Sequence, residues 1–408
     1  MSVATKDFEP DCRAALDDLR AALIELYASV GADPASPQDV ARRFGINKTL
    51  TWNLAKVIAS TDAIRTLQNV PGASAFQILL NAVQREGAPA EAVERVRAAA
   101  RALDLTVERH FGDRATLDLI VDGISPTRGD HLELSRKLAF RGNSGLWGVQ
   151  AKVRLMTVFM APNAADPDRL DMTIVRGYVG LRRLRPDIRW PIFQMRGWGS
   201  QDEPMTADRW QALEPSADGS VGLPLLRRFS TVSAADVEET RNSQGLNYVL
   251  VPGPVGNVGA VDCFSSDFAR SAASKYRTAQ DATGEFGATI SAPTERLIFD
   301  FIVHESLGFA LSPEVRAFAG VFMDRPEDQD SEGQLPIPVP QELIQLPGRP
   351  PVVATPHVPC YPELVSYVHE RMGWNASTFR GCRLEMSYPP MGSTILLRFN
   401  LPEAPKKG

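Results

Sequence analysis

Near residue 125 the hydrophobic residues of this chain change from helical spacing to simple alternation. Before that point the chain is rich in alanine and leucine, and apolar residues recur every three or four positions, as Leu16, Leu19 and Leu23 do. After it, apolar and polar residues alternate, most clearly over 149–160. The first spacing is typical of helices and the second of strands. The sequence therefore predicts an α+β protein, with an all-α N-terminal domain followed by a larger, mixed, β-rich region.

Composition and proline content divide the region after residue 125 further. A connector over 324–362 is so rich in proline that a helix is excluded there and extended chain is favoured. We predict a helix over 268–280 and a buried strand over 296–304. The predicted domains are a helical domain 1–125, a basic β-rich domain 126–250 and an acidic α+β domain 251–408.

The composition excludes several classes of protein. Hydrophobic residues make up 44% of the 408 residues, charged residues 23%, and the net charge is -5, which is ordinary for a globular protein. No signal peptide is recognisable, and no apolar run reaches the roughly 18–20 residues of a membrane helix. We therefore expect a cytoplasmic protein with no membrane partner. The cysteines are too scattered to predict a metal, redox or disulfide site, and we expect no cofactor; they are Cys12, Cys263, Cys360 and Cys382.

The segment 37–58 has the capping residues and the turn of two short helices. Ser36 is a favourable N-cap, and Pro37 suits the first position of the first helix. Gly45 can adopt the left-handed conformation that a sharp turn requires. Asn47 can cap the second helix, which begins directly after it. These features predict a helix-turn-helix within the helical domain.

The second of these helices has two distinct faces at 100° per residue. Its apolar face consists of Leu50, Leu54, Val57 and Ile58. Its opposite face is rich in hydrogen-bond donors, as a helix that contacts base edges and phosphates needs to be. The residues that we predict to contact DNA are Arg42, Arg43, Lys48, Thr49, Trp52, Asn53 and Lys56. The segment holds four basic residues and one acidic residue, so its local charge favours phosphate binding.

The stretch from Asp39 to Leu54 resembles the helix-turn-helix of bacterial transcriptional regulators, most closely that of the IclR and MarR families. The fixed positions of that pattern are occupied by Ala41, Gly45, Ile46 and Leu54. The resemblance covers only 37–58, and Thr51 stands where the pattern often has valine or isoleucine. Residues 61–64 are predicted to enter another helix instead of a β-hairpin wing. The resemblance implies a double-stranded DNA partner and a homodimer, without membership of a winged family.

Two other functions stay open. In the first, the helical domain is a bundle that docks protein partners, with Trp52 as an anchor, and the chain is a scaffold. In the second, the region after residue 125 is an enzyme, although no catalytic set supports it. Asp300 and His304 would lie on one side of a strand, but too far apart for a direct hydrogen bond and without a nucleophile. We therefore expect no enzymatic activity and a C-terminal region that senses a small ligand or a partner.

Two stretches of opposite charge follow the helical domain. Residues 136–200 contain twelve basic and four acidic residues, interleaved with aromatic ones, whereas 281–342 contain twelve acidic and three basic residues. Basic strands with aromatic residues could hold a nucleic-acid backbone or an anionic ligand. Docking of the two stretches on each other would explain the same pattern, and we favour this second interpretation.

Overall fold

The computed structural model describes residues 8–124, 128–195, 210–214, 225–242, 245–279, 281–320, 335–339 and 341–405. It divides the chain into two compact units, Met1–Leu132 and Glu133–Gly408, called here the first and the second unit. Helices form the first unit and sheets dominate the second, so the predicted α+β class is confirmed. Within the described residues, no helix is long and apolar enough to cross a membrane.

The first unit consists of helices packed around one apolar core. The long helices α1 and α6 form its centre, with Leu16, Leu23 and Val93 inaccessible to solvent. The helical spacing predicted for the first helix is confirmed, because its buried residues are those that share one side. The described helices are α1 (Glu9–Ser29), α2 (Pro37–Phe44), α3 (Lys48–Ala59), α4 (Ala63–Asn69), α5 (Ala73–Arg85), α6 (Ala90–Phe111), α7 (Arg114–Ile124) and α8 (Arg128–Trp147), the last of which lies mostly in the second unit.

In the described residues of the second unit, three sheets pack with α9 (Tyr361–Met372), and most of α8 precedes them in the chain. The main sheet has seven strands in the order β11-β12-β9-β1-β2-β7-β4, and two three-stranded sheets have the orders β10-β13-β8 and β3-β6-β5. Strands β1 and β9 pair in parallel, and the other neighbours in the main sheet pair antiparallel. The strands are β1 (Val149–Pro162), β2 (Arg169–Arg183), β3 (Trp190–Met195), β4 (Gln211–Ala212), β5 (Val237–Asn242), β6 (Gly245–Leu250), β7 (Val261–Ser274), β8 (Thr283–Thr289), β9 (Thr294–His304), β10 (Glu314–Ala319), β11 (Ile344–Leu346), β12 (Phe379–Ser387) and β13 (Ser393–Asn400).

The main sheet is covered on both faces, which explains why its central strands are so apolar. On one face, Leu155 and Phe159 of β1 pack with residues of α9. On the other face, Met156 and Val158 pack with residues of β8, β10 and β13. Because side chains of a strand alternate between faces, each of the two layers takes every second residue of β1. Strands from both sides of residue 250 share this sheet, so the domain boundary predicted there does not separate two sheets.

The structure corrects the predicted helix over 268–280. Residues up to Ser274 form β7, which pairs with β2 and β4 within the main sheet. Phe264 and Ala269 of this strand are buried, and partners on both sides override the helical preference of its alanines. The strand predicted over 296–304 is confirmed as β9.

The described part of the proline-rich connector has no helix before α9, as predicted, and it is extended around β11 with turns at 348–351 and 356–360. It contains β11, which forms an edge of the main sheet by pairing with β12. Ile337 and Leu343 pack against the core shared with β9 and β13, and α9 begins near the predicted end of the connector. Residues 321–334 and 340 lie outside the described residues. The described part of this segment is therefore attached to the second unit along its length.

Candidate nucleic-acid interface

The first helix of the predicted motif, α2, begins at Pro37 as predicted, but its N-terminus differs in one detail. The Ser36 side chain does not cap the helix. Its hydroxyl instead donates to the Asp33 carboxylate, Oγ to Oδ2 3.1 Å. Pro37 has no N–H to satisfy, and the Asp39 N–H donates to the backbone carbonyl of Ser36 at 3.0 Å, so the helix begins without that side-chain cap.

The turn between α2 and α3 depends on Gly45. This residue has φ 63° and ψ 32°, in the left-handed region, and its N–H donates to the Ala41 carbonyl that ends α2. The N–H of Ile46 donates to the same carbonyl, at 3.1 Å, and its side chain packs against the core of the first unit. This is the helix-ending arrangement that glycine favours.

A Cβ added at Gly45 meets no atom within 4 Å. We therefore expect the stability of variants at this position to depend only on how well the new residue adopts the left-handed conformation. Gly45→Ala should lower the stability of the first unit by about 1–2 kcal/mol, the cost of the left-handed conformation. Gly45→Asn should cost less, because asparagine tolerates that conformation. Urea unfolding of both variants tests this, and equal losses would contradict it.

Helix α3 packs by the face that the sequence predicted. Leu50, Leu54 and Val57 are buried, whereas Ile58 is only half-buried. Asn47 caps the helix as predicted, since its Oδ1 accepts from the Thr49 N–H at 2.7 Å. This arrangement fixes which side of α3 faces solvent.

The position where Thr51 departs from the regulator pattern is also buried. Its hydroxyl donates to the Lys48 carbonyl at 2.9 Å. The threonine therefore fits the core without an unpaired hydroxyl.

The exposed face of α3 brings together the residues predicted to contact DNA. Lys48, Thr49 and Lys56 are exposed, and Trp52 retains 48% of its accessible surface. Asn53 lies beside them and is half-buried. We call these five residues the α3 outer face. Two cations, two polar side chains and one large aromatic ring thus share one helix surface.

The two arginines at the end of α2 are exposed but already have partners. Arg42 forms an ion pair with Asp39 at 3.2 Å. Arg43 donates to the Gly31 carbonyl at 3.1 Å, and its guanidinium lies 5.1 Å from the centre of the Phe44 ring. Exposed pairs of this kind are weak, so either side chain can exchange its partner for a phosphate at low cost.

The sequence reasoning missed Arg20 of α1, which holds the end of α3. Its Nε donates to the Val57 carbonyl at 2.8 Å and its Nη2 to the Ser60 carbonyl at 2.5 Å. A cation at a helix C-terminus satisfies unpaired carbonyls and interacts favourably with the helix dipole. Nothing within 37–58 indicates this contact, because Arg20 lies in another helix.

The chain after α3 enters α4, as the sequence predicted. Asp62 caps this helix, with Oδ1 accepting from the Arg65 N–H at 3.1 Å. The segment that would form a wing in a winged family is therefore helical.

In the second unit, Asp300 and His304 do not form a dyad. His304 bonds through Nδ1 to the Ser306 hydroxyl at 2.8 Å. The Asp300 carboxylate is inaccessible to solvent and receives Nε and Nη2 of Arg383 at 2.8 and 2.7 Å. It also accepts from the Tyr361 hydroxyl at 2.8 Å, which in turn contacts the Thr157 hydroxyl at 2.7 Å.

These four side chains form a buried polar network of the sheet core. Strand register places Thr157, Asp300 and Arg383 side by side on β1, β9 and β12, and α9 supplies Tyr361. Burial raises the pKa of Asp300, and the hydrogen bonds from Arg383 oppose that rise. Burial and the nearby Asp300 raise the pKa of Tyr361. Every charge here has a partner, which is typical of a structural element of a buried core.

The ion pairs of the second unit test whether the basic stretch 136–200 docks on the acidic stretch 281–342. Arg182 forms an ion pair with Glu295 of the acidic stretch, at 3.5 Å. Arg176 instead pairs with Asp267 and Arg189 with Glu238, which lie outside that stretch. Among the residues that the structure describes, no group of three or more His, Cys, Asp or Glu could hold a metal ion.

No protein-family model matches the sequence, and no curated protein matches it. Among solved structures, the chain is similar to one from Parabacteroides distasonis described as a "putative protease", with 7% sequence identity and a TM-score of 0.30. That alignment covers 62% of this chain and 41% of the other, so the chain spans less than half of that protein. A likeness this low is no basis for assigning a fold or an activity.

Proposed function

We propose that the chain is a DNA-binding transcriptional regulator. The first unit binds double-stranded DNA through the α3 outer face, with Arg42 and Arg43 on the phosphate backbone, and the second unit senses a small ligand or a protein partner. A single helix-turn-helix rarely reaches useful affinity, so the proposal includes a homodimer on two half-sites.

The observation that carries the proposal is the division of α3 into two faces. The apolar face is fixed in the core, the Asn47 cap and Arg20 hold the two helix ends, and the donor-rich face is open to solvent. Lys48 occupies the first helical position, where the helix dipole already favours anions. A positive side chain there opposes the helix dipole and therefore does not serve helix stability, but it suits a phosphate partner.

The variant Lys48→Glu is expected to separate DNA binding from stability. A carboxylate at the first helical position interacts favourably with the helix dipole, so the variant should unfold no earlier than the wild type. Its affinity for duplex DNA should fall by about tenfold or more, because a phosphate contact is replaced by repulsion. Fluorescence anisotropy with a labelled random duplex at two salt concentrations measures the affinity, and thermal unfolding measures the stability.

Two further variants test the same proposal. The double variant Lys48→Ala/Lys56→Ala should reduce the salt dependence of log affinity by about two, one for each lost phosphate contact. Arg101→Ala removes an exposed cation of α6 in the same unit and is the matched control, which should bind as the wild type does. The DNA proposal fails if the wild type does not bind at low salt, or if the lysine variants bind no worse than the control.

The exposed Trp52 is also compatible with the scaffold alternative, because exposed tryptophans often anchor protein partners. In the DNA proposal, Trp52→Ala weakens duplex binding. If duplex binding is absent, the exposed ring becomes the main argument for a protein partner.

A further inference from the structure

Arg154 of β1 is a buried guanidinium with no ion-pair partner among the described residues. Only 8% of the residue is accessible to solvent. Its Nη1 donates to the Gly177 carbonyl at 3.2 Å and more weakly to the Leu155 carbonyl at 3.4 Å, and its Nε has no hydrogen-bond partner. The guanidinium lies 4.8 Å from the centre of the Tyr178 ring. Buried charges are normally paired, so this arginine needs an explanation.

The strand register gathers further polar groups around Arg154. Tyr178 is its partner on β2 and Cys263 is the next residue across, on β7. One step along the same face come Arg176 on β2 and Ser265 on β7. The Tyr178 hydroxyl contacts the Ser291 hydroxyl at 2.9 Å, which fixes the ring beside the guanidinium.

This cluster carries more positive than negative charge. Arg176 pairs with Asp267, Nη2 to Oδ2 2.5 Å, so among the described residues one of the two guanidiniums has a carboxylate partner and Arg154 has none. The other carboxylate oxygen of Asp267 and the Nε of Arg176 are buried without hydrogen-bond partners. Burial lowers the pKa of Arg154, and the neighbouring charge of Arg176 adds to that effect. The two arginines carry two positive charges and Asp267 carries one negative charge, so one positive charge is not balanced.

We propose that Arg154 and Arg176 bind a small oxyanion, the carboxylate or phosphate group of a metabolite. A planar guanidinium offers paired donors that match such a group, and the aromatic face of Tyr178 holds the guanidinium from the side. The Arg176 side chain retains 22% of its accessible surface, so the cluster is open to solvent at that end. The bound anion supplies the missing negative charge.

The role of this anion as an effector rests on the proposed function, in which the second unit senses a small ligand. The binding itself does not, because all the residues involved lie in the second unit. A chain that binds an anion but no DNA would therefore overturn the regulator and leave the anion site standing. A chain that binds DNA but no anion would overturn the anion site and leave the regulator proposal standing.

Isothermal titration of the full chain with inorganic phosphate and, separately, with acetate tests the site and distinguishes the two oxyanions. At least one probe should bind saturably to the wild type. Arg154→Met should bind that probe about tenfold or more weakly, the usual cost of a lost charge-assisted hydrogen bond. Arg277→Met removes an arginine of an exposed ion pair in the same unit and should bind as the wild type does.

A second variant and a stability measurement keep the test decisive. Arg154→Lys keeps the charge but loses the planar pair of donors, so it should fold and still bind more weakly than the wild type. Without anion, Arg154→Met should be at least as stable as the wild type, because an unpaired buried charge is gone. The proposal is overturned if neither probe binds saturably, or if both Arg154 variants bind like Arg277→Met.

Discussion

Arg383→Met is expected to destabilise the second unit by about 3–5 kcal/mol, the cost of leaving a buried charge without its partner. The substitution removes both charged hydrogen bonds to Asp300, whose carboxylate is inaccessible to solvent. Tyr361 would be its remaining side-chain donor. Urea unfolding followed by tryptophan fluorescence reports mainly on this unit, because five of the six tryptophans lie in it.

Two controls define what this loss means. The double variant Asp300→Leu/Arg383→Met should regain most of the stability, because an apolar pair in place of a buried ion pair is often neutral. Arg277→Met, at an exposed ion pair with Glu403, should change stability by about 0–1 kcal/mol. If Arg383→Met costs no more than Arg277→Met, the substitution does not leave Asp300 as a buried charge without a partner, and the prediction is wrong.

Leu54→Ala is expected to have the next largest effect, about 2–5 kcal/mol on the first unit, because Leu54 is fully buried where α3 meets the core. The loss combines the transfer of the removed carbons to water with the cavity that they leave. Hydrogen exchange resolved by peptide should show faster exchange in α2 and α3.

The neighbouring Trp52 provides a sharp comparison on the same helix. Trp52→Ala removes an exposed ring and should change stability by no more than about 0.5 kcal/mol. Leu54→Met conserves volume and should cost less than about 1.5 kcal/mol. An equal loss of stability in Leu54→Ala and Trp52→Ala would contradict the assignment of the two faces of α3.

The sequence predicted the two-helix motif well because its determinants are local. Gly45 and Asn47 perform the backbone roles expected of their residue types, and the 3.6-residue spacing separates Leu54 from Trp52. Ser36 was the exception, since its hydroxyl found an alternative acceptor in Asp33. Arg20 could not be predicted, because its contact depends on how α1 packs against α3.

In the second unit, the informative contacts join residues that are distant in sequence. The sequence relates Asp300 to His304, its neighbour on the same strand, whereas its partners Arg383 and Tyr361 come from β12 and α9. Arg154 was one of many arginines in a basic stretch, and only strand register placed it next to Arg176 and Tyr178. Alternation predicts that a strand exists, but it does not predict the neighbours of that strand.

Because β1 pairs in parallel with the distant strand β9, the main sheet cannot be completed until late in synthesis. The first unit lies entirely within the first 132 residues, so it can form early during synthesis, before the second unit is complete. The hairpin of β1 and β2 is synthesised well before β9, which pairs with β1, and before β12, which pairs with β9. Until then the edge of β1 and both its apolar faces lack cover, and we expect nascent or truncated chains that end before β9 to aggregate or to bind chaperones.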